Sequence, residues 1–242
     1  MRALVEFLGE SFGGSFGKSL GESRGEPVRR RSRAASRCAA ALTSAAILLA
    51  LCIATRAAHA DDAIATDTPE ATVQSLHRGL IAASQSSPGA SVEDRYHKLE
   101  PLIEKTHDLG YIAEFALRKQ WPMLSEADRR RFIAAFEKLS VMTYASRFKN
   151  VTANTFKNAG PTTMEAGRAH VLTAIARQGQ PDVSLDYMLE QKEGAWRIIN
   201  IIADGVSDLA LKRAEYQRIL GSGTLDDLIK ELEAQTARLE HP

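Results

Sequence analysis

Cysteine is nearly absent. The 242-residue chain has two, Cys38 and Cys52, and both fall in a segment expected to be removed. The remainder of the chain has no disulfide, no thiolate metal site and no cysteine nucleophile, and must be held by its core alone. A large excess of one charge is missing too: 31 Lys and Arg stand against 30 Asp and Glu. Without residues 1–60 these fall to 22 and 26, a net charge of about −4, which argues against nucleic acid as the main partner. Five histidines lie beyond the leader (His77, His97, His107, His170 and His241), none in a metal spacing such as H-E-x-x-H, and no G-x-S-x-G elbow occurs. There is no internal repeat.

One long apolar run is present. It extends from Cys38 to Thr55, after the basic stretch Arg29 to Arg37 and before Ala58-His59-Ala60. Basic, apolar and A-x-A segments in that order read as a secretory signal peptide, cleaved after Ala60 to leave Asp61 first. An uncleaved anchor is the alternative, for which the run is short. Lipidation at Cys52 is disfavoured, because Leu51 stands where a small residue is wanted. The first 28 residues, rich in Gly and Ser, fit no such plan. Gly17-Lys18-Ser19 looks like the end of a phosphate-binding loop, but Phe12 occupies the position of that loop's first glycine. A misassigned start, with Val28 as the true first residue, is the expectation.

Residues 61–242 suffice for one domain. Thr68-Pro69 reads as a helix start, with Val73, Leu76, Leu80 and Ile81 on its apolar stripe. Ser84 to Ala90 is a loop. Ser91 to Asp94 resembles a capping box and opens a second helix lined by Tyr96, Leu99, Leu102 and Ile103, which Pro101 should kink or restart. A third helix, about Leu109 to Gln120, carries Ile112, Phe115 and Ala116 and stops at Trp121-Pro122. Ser125 starts the longest helix, to about Phe148. Its face of Phe132, Phe136, Leu139 and Thr143 is widened by Ile133, Met142, Tyr144 and Phe148, more than one neighbouring helix needs. A packed sheet would use this width; so would a ligand tail.

From Asn150 the period changes to two and gives about four strands. The hairpin Val183 to Ser207 organises them. Val183, Leu185, Tyr187 and Leu189 alternate with polar residues, and Lys192-Glu193-Gly194 turns the chain. The return strand is apolar on both sides, Trp196, Ile198 and Ile202 on one and Ile199, Ile201 and Ala203 on the other. It is either an ordinary two-sided core strand or the wall of an incompletely filled cavity. Two helices close the chain, Val206 to Leu220 and one lined by Leu225, Leu228, Ile229 and Leu232. The order is that of an α+β domain. Asp186 and Asp204 could meet as a carboxylate pair, or Asp204 could cap the helix after Gly205. Arg129-Arg130-Arg131 is either a solvated face or a docking patch for anionic groups.

Several of these pieces, in order and spacing, resemble the MlaC family, the toluene-tolerance auxiliary component of ABC transporters. They are Leu99-x-Pro101-x-Ile103, His107-Asp108, Ile112-Ala113, Ala116-Leu117, Trp121, Ser125, Phe132, Ala135-Phe136 and Tyr144. They continue through Trp196 to Gly205-Val206-Ser207, then Arg213, Tyr216, Ile219-Leu220, Gly223, Leu228-Ile229 and Leu232. The resemblance spans about Pro69 to Leu239. Arg118, His107 and Asn200 depart from the family pattern, and the short N-terminal helices are similar to its hopanoid-associated branch. The resemblance implies a periplasmic carrier, without a cofactor and not an enzyme, with a core like that of nuclear transport factor 2: an antiparallel sheet packed by N- and C-terminal helices around an apolar cavity. Its cargo would be a phospholipid or a hopanoid. Its partners would be an outer-membrane lipoprotein complex and an inner-membrane ABC transporter with an MCE-domain protein. The expected pocket wall is Ile112, Phe115, Phe132, Phe136, Leu139, Leu185, Tyr187, Leu189, Trp196, Ile198 and Ile202. An enzyme of the same cone-shaped fold, using Asp204, Asp186 or Tyr187 as acid or base, and a structural partner of a membrane complex are the alternatives.

Overall fold

The computed structural model describes residues 64–85 and 90–241; the expected leader, its cleavage site and the proposed alternative start lie outside them. Four helical segments come first: α1 (Pro69–Gln85), α2 (Val92–Thr106), α3 (Leu109–Leu117) and, after a 3-10 turn at Trp121–Met123, α4 (Glu126–Arg147). Their starts follow local chemistry. Ser91 accepts from the Asp94 N–H while the Asp94 carboxylate accepts from the Ser91 N–H, and Ser125 caps α4 by accepting from the Asp128 N–H. Each such cap stabilises a helix by about 1 kcal/mol. Pro101 does not end α2. It sits on the exposed side of a helix anchored by buried Leu99, Leu102 and Ile103, and that burial offsets one missing backbone hydrogen bond.

The sheet has six strands rather than about four: β1 (Phe156–Asn158), β2 (Thr163–Glu165), β3 (Arg168–Ile175), β4 (Val183–Lys192), β5 (Ala195–Ala203) and β6 (Val206–Ser207). All neighbours are antiparallel, in the order β1-β3-β4-β5-β6, with β2 also on β3. Residues 163–175 form two strands, because Ala166-Gly167 turns the chain with φ of 50° and 80°. Glu193-Gly194 and Asp204-Gly205 do the same, at 54° and 81° and at 47° and 82°. Two successive left-handed residues match the right-handed twist of the strands they join. α5 (Asp208–Ser222) and α6 (Leu225–Glu240) complete the order. Ser207, not Asp204, caps α5; Asp204 instead accepts from the Ser184 N–H at 2.8 Å.

A β-bulge changes the expected faces of β5. Met188 lies opposite Asn200 and Leu189 opposite Ile198, so Ile199 is the additional residue. Trp196 and Ile198 therefore share a face with Ile201 and Ala203, while Ile202 stands on the other, opposite Asp186. Strict alternation, which places Ile202 with Ile198, fails at this one residue.

The face bearing Val183, Leu185, Tyr187 and Leu189 forms the core with the helices. α1 packs on β3 and β5, and α4 packs between α2 and α6. Phe132 and Phe136 are fully buried on α4, and Tyr216 of α5 meets the Phe132 ring edge-on at 5.9 Å. Two histidines lie inside. His77 stacks on Phe156 at 3.8 Å and pairs with the Tyr187 hydroxyl at 3.0 Å. His107 bonds Thr106 and Tyr144, both at 3.0 Å. Burial lowers the His77 pKa to about 4 and that of His107 to about 3. Their folded pKa values lie below the unfolded value of about 6.5, so the unfolded chain binds more protons across that window and stability falls as pH falls. Unfolding in urea should therefore show about 2 kcal/mol less stability per histidine at pH 5 than at pH 7. His77→Gln should remove about half of that difference; a stability flat from pH 7 to 5 would mean that both rings accept a proton in place.

Candidate binding groove

α3 and α5 lie against each other and against β5. Between them and the β4–β5 surface opens a groove of about 540 Å³. Its floor is apolar: Phe115, Met188, Ile199 and Leu209, with Ala210 and Ala214 leaving room where larger side chains would close it. The α5 contribution follows helical spacing, since 210, 213, 214 and 217 fall on one face. Deeper, a second cavity of about 20 Å³ lies among Ile112, Phe136, Ser140, Tyr144, Ile198, Leu209 and Lys212. The two share Ile199, Asn200 and Leu209 as wall residues. The inner one has room for about one water.

The inner end also carries polar groups. The Thr106 hydroxyl donates to the Leu102 carbonyl at 2.7 Å, so it accepts from His107 Nδ1–H; His107 Nε2 is then the acceptor for the Tyr144 hydroxyl. Lys212, 8 % exposed, donates to Asp208 at 2.6 Å, and burial lowers its pKa to about 8. Ser140, one turn before Tyr144 on α4, is 1 % exposed, and its hydroxyl has no hydrogen-bond partner among the described residues.

The eleven expected wall residues divide by position. Phe115 lines the groove; Ile112, Phe136 and Ile198 line the inner cavity. Phe132, Leu139, Leu185, Tyr187 and Leu189 are buried in the core, Trp196 packs half-buried against it, and Ile202 is half-buried on the opposite sheet face. Sequence reasoning missed Met188, Ile199, Leu209, Arg168 and Arg213. The bulge hid Ile199, Met188 stood among the residues alternating with the apolar face of β4, and helical periodicity of 209, 210, 213, 214 and 217 was the available signal for the α5 side.

The carboxylates do not converge. Asp186 pairs with His170 at 3.0 Å, Asp204 lies exposed in the β5–β6 turn, and the Tyr187 hydroxyl is held by His77 with its pKa raised by burial. Among the described residues no group of three His, Cys, Asp or Glu could hold a metal ion, and no helix is long and apolar enough to cross a membrane. The arginine run is folded onto its own acids. Arg129 lies over the Trp121 ring at 5.3 Å, Arg130 lies 3.8 Å from Glu126, and Arg131 bonds Asp128 at 3.2 Å and Asp226 at 2.6 Å.

No curated protein matches the chain. A phospholipid-binding protein from Ralstonia solanacearum, solved in complex with a phospholipid, is similar in structure, with a TM-score of 0.61 at 20% identity. The match covers 70% of this chain and 97% of that one, and at that identity it speaks for the α+β fold. The MlaC protein family profile matches residues 73–234, which is more than half the sequence: the chain belongs to the MlaC family.

Proposed function

We propose that this protein is a periplasmic lipid carrier. It would hold the apolar tails of a phospholipid, or of a hopanoid, and shuttle it between an outer-membrane lipoprotein complex and an inner-membrane ABC transporter with an MCE-domain component. The observation that carries the reading is the apolar-floored groove beside α5, which meets an inner cavity across shared wall residues. Exposing each methylene to water costs about 0.8 kcal/mol, so a shuttle must cover its cargo's tails almost fully. Membership of the MlaC family and the phospholipid held by the Ralstonia protein support the same assignment.

In this reading Phe115 meets the cargo at the groove, and Ile112, Phe136 and Ile198 meet it where the inner cavity opens. The other expected wall residues, Phe132, Leu139, Leu185, Tyr187, Leu189, Trp196 and Ile202, join only as far as helices and sheet separate around the tails. Shielding and release need no bond to break, and the reading assigns no catalytic group.

The test is transfer of a fluorescent phospholipid between two vesicle populations by the chain 61–242. Transfer in proportion to protein concentration is the expected result. A chain that neither extracts nor delivers lipid would remove the carrier reading and leave a structural partner of a membrane complex.

A further inference from the structure

The mouth of the groove has more hydrogen-bond donors than acceptors. Arg168 is positioned by the Tyr111 hydroxyl at 3.1 Å, and the carboxylate of Glu190 lies at 3.8 Å with both side chains more than a third exposed. Such a pair is loose and screened by water. Arg213 lies over the Phe115 ring, 5.8 Å from its centroid, and has no carboxylate partner among the described residues. One turn on, Gln217 also lines the groove, and its buried side-chain amide nitrogen has no acceptor among the described residues. Arg118 covers Phe115 as well, at 5.4 Å. The remaining polar group there, Asn200 Oδ1, already accepts from Ser207 Oγ at 3.1 Å and from the Leu209 N–H at 3.2 Å.

Resting on the carrier reading, we infer that Arg168, Arg213 and Gln217 form a collar that selects cargo by head group, taking a phospholipid whose whole head group carries net negative charge over a zwitterionic or uncharged one. Three observations converge on this. The donors share one opening above an apolar floor, where a head group would lie with its tails below. Arginine presents a planar fork that matches phosphate oxygens, and the two in the collar are held in place, Arg213 over the Phe115 ring and Arg168 on the Tyr111 hydroxyl. The collar is cationic on a chain whose residues 61–242 carry about −4, so the opening attracts anions that the rest of the surface repels. A choline or ethanolamine head group would bring its own cation against the arginines and lose that gain.

The experiment loads the chain 61–242 from vesicles of phosphatidylglycerol or phosphatidylcholine with identical acyl chains, and counts bound lipid by native mass spectrometry. Phosphatidylglycerol should load about tenfold better at low salt, the size of one charge-assisted hydrogen bond, and the preference should shrink as ionic strength rises. Arg213→Gln and Gln217→Leu should lower phosphatidylglycerol loading more than phosphatidylcholine loading, so that the ratio of the two falls towards one. Unchanged thermal unfolding of both variants separates this from a folding defect. Equal loading of the two lipids overturns the collar while the carrier reading stands; loading of neither overturns the carrier reading itself. A free-phosphate arm decides the remaining source: inorganic phosphate that binds the lipid-free chain through Arg213 and displaces the preference at millimolar concentration would make this a site for a soluble anion, and would overturn the inference.

Discussion

Ala214→Trp should abolish lipid loading without disturbing the fold. Ala214 is exposed on α5 and its methyl group lines the groove. An indole there needs no core rearrangement, yet occupies the space that the cargo requires. An aromatic side chain covers about 150–250 Å² of apolar surface, so filling the groove forfeits about 4–6 kcal/mol of ligand burial. That corresponds to a loss of affinity of at least about a hundredfold. Tryptophan is a moderate helix former, so the helix should persist at a cost under about 1 kcal/mol. The measurement is extraction of labelled phospholipid from vesicles, beside thermal unfolding. A folded variant that extracts lipid as well as the unchanged chain would place the site elsewhere.

The second large effect is on stability. Phe132 is fully buried, stacked at 6.1 Å on Phe136 and met edge-on by Tyr216. It joins α4 to α5 across the core. Phe132→Ala should lower the unfolding free energy by about 3–5 kcal/mol, from lost burial and the cavity left behind. Urea titration gives this directly. The apolar stripe of α4 also makes the same residue a candidate for the pocket wall, and the measurement separates the two roles. A variant of nearly unchanged stability that no longer loads lipid would put Phe132 on the cargo rather than in the core.

Much of this architecture is legible in the sequence, for local reasons. Ser91 with Asp94 and Ser125 with Asp128 announce helix starts through side chains that bond their own backbone, and the structure uses both. The alternation from Val183 to Leu189 states which face of β4 is buried, and all four residues are buried. What periodicity cannot see is the extra residue in β5. Ile199 has an isoleucine before it and Asn200 after it, a composition that does not mark which residue is unpaired, so alternation puts Ile202 on the wrong face. The six-stranded count is hidden by two turns, Ala166-Gly167 inside a strand-like run and Asp204-Gly205 before the two-residue β6, where the sequence reads as the start of a helix. The groove is less legible than the fold. Its wall joins Tyr111 of α3 to Met188 of β4 and Arg213 of α5, residues far apart in the chain, and such a juxtaposition is set by packing rather than by any one segment's pattern.

A buried polar network lies on the inner side of the groove. The His107 and Tyr144 side chains bond each other, and Ser140 beside them has a hydroxyl without a partner among the described residues. An unpartnered buried hydroxyl costs about 1–3 kcal/mol. The inner cavity has room for about one water to meet it.

The most direct test of the central claim is native mass spectrometry of the chain 61–242, purified from the periplasm without detergent, with lipid extraction alongside. A one-to-one adduct at phospholipid or hopanoid mass, lost in Ala214→Trp, is the result expected of a carrier. A clean apo protein that also takes no lipid from vesicles would contradict it.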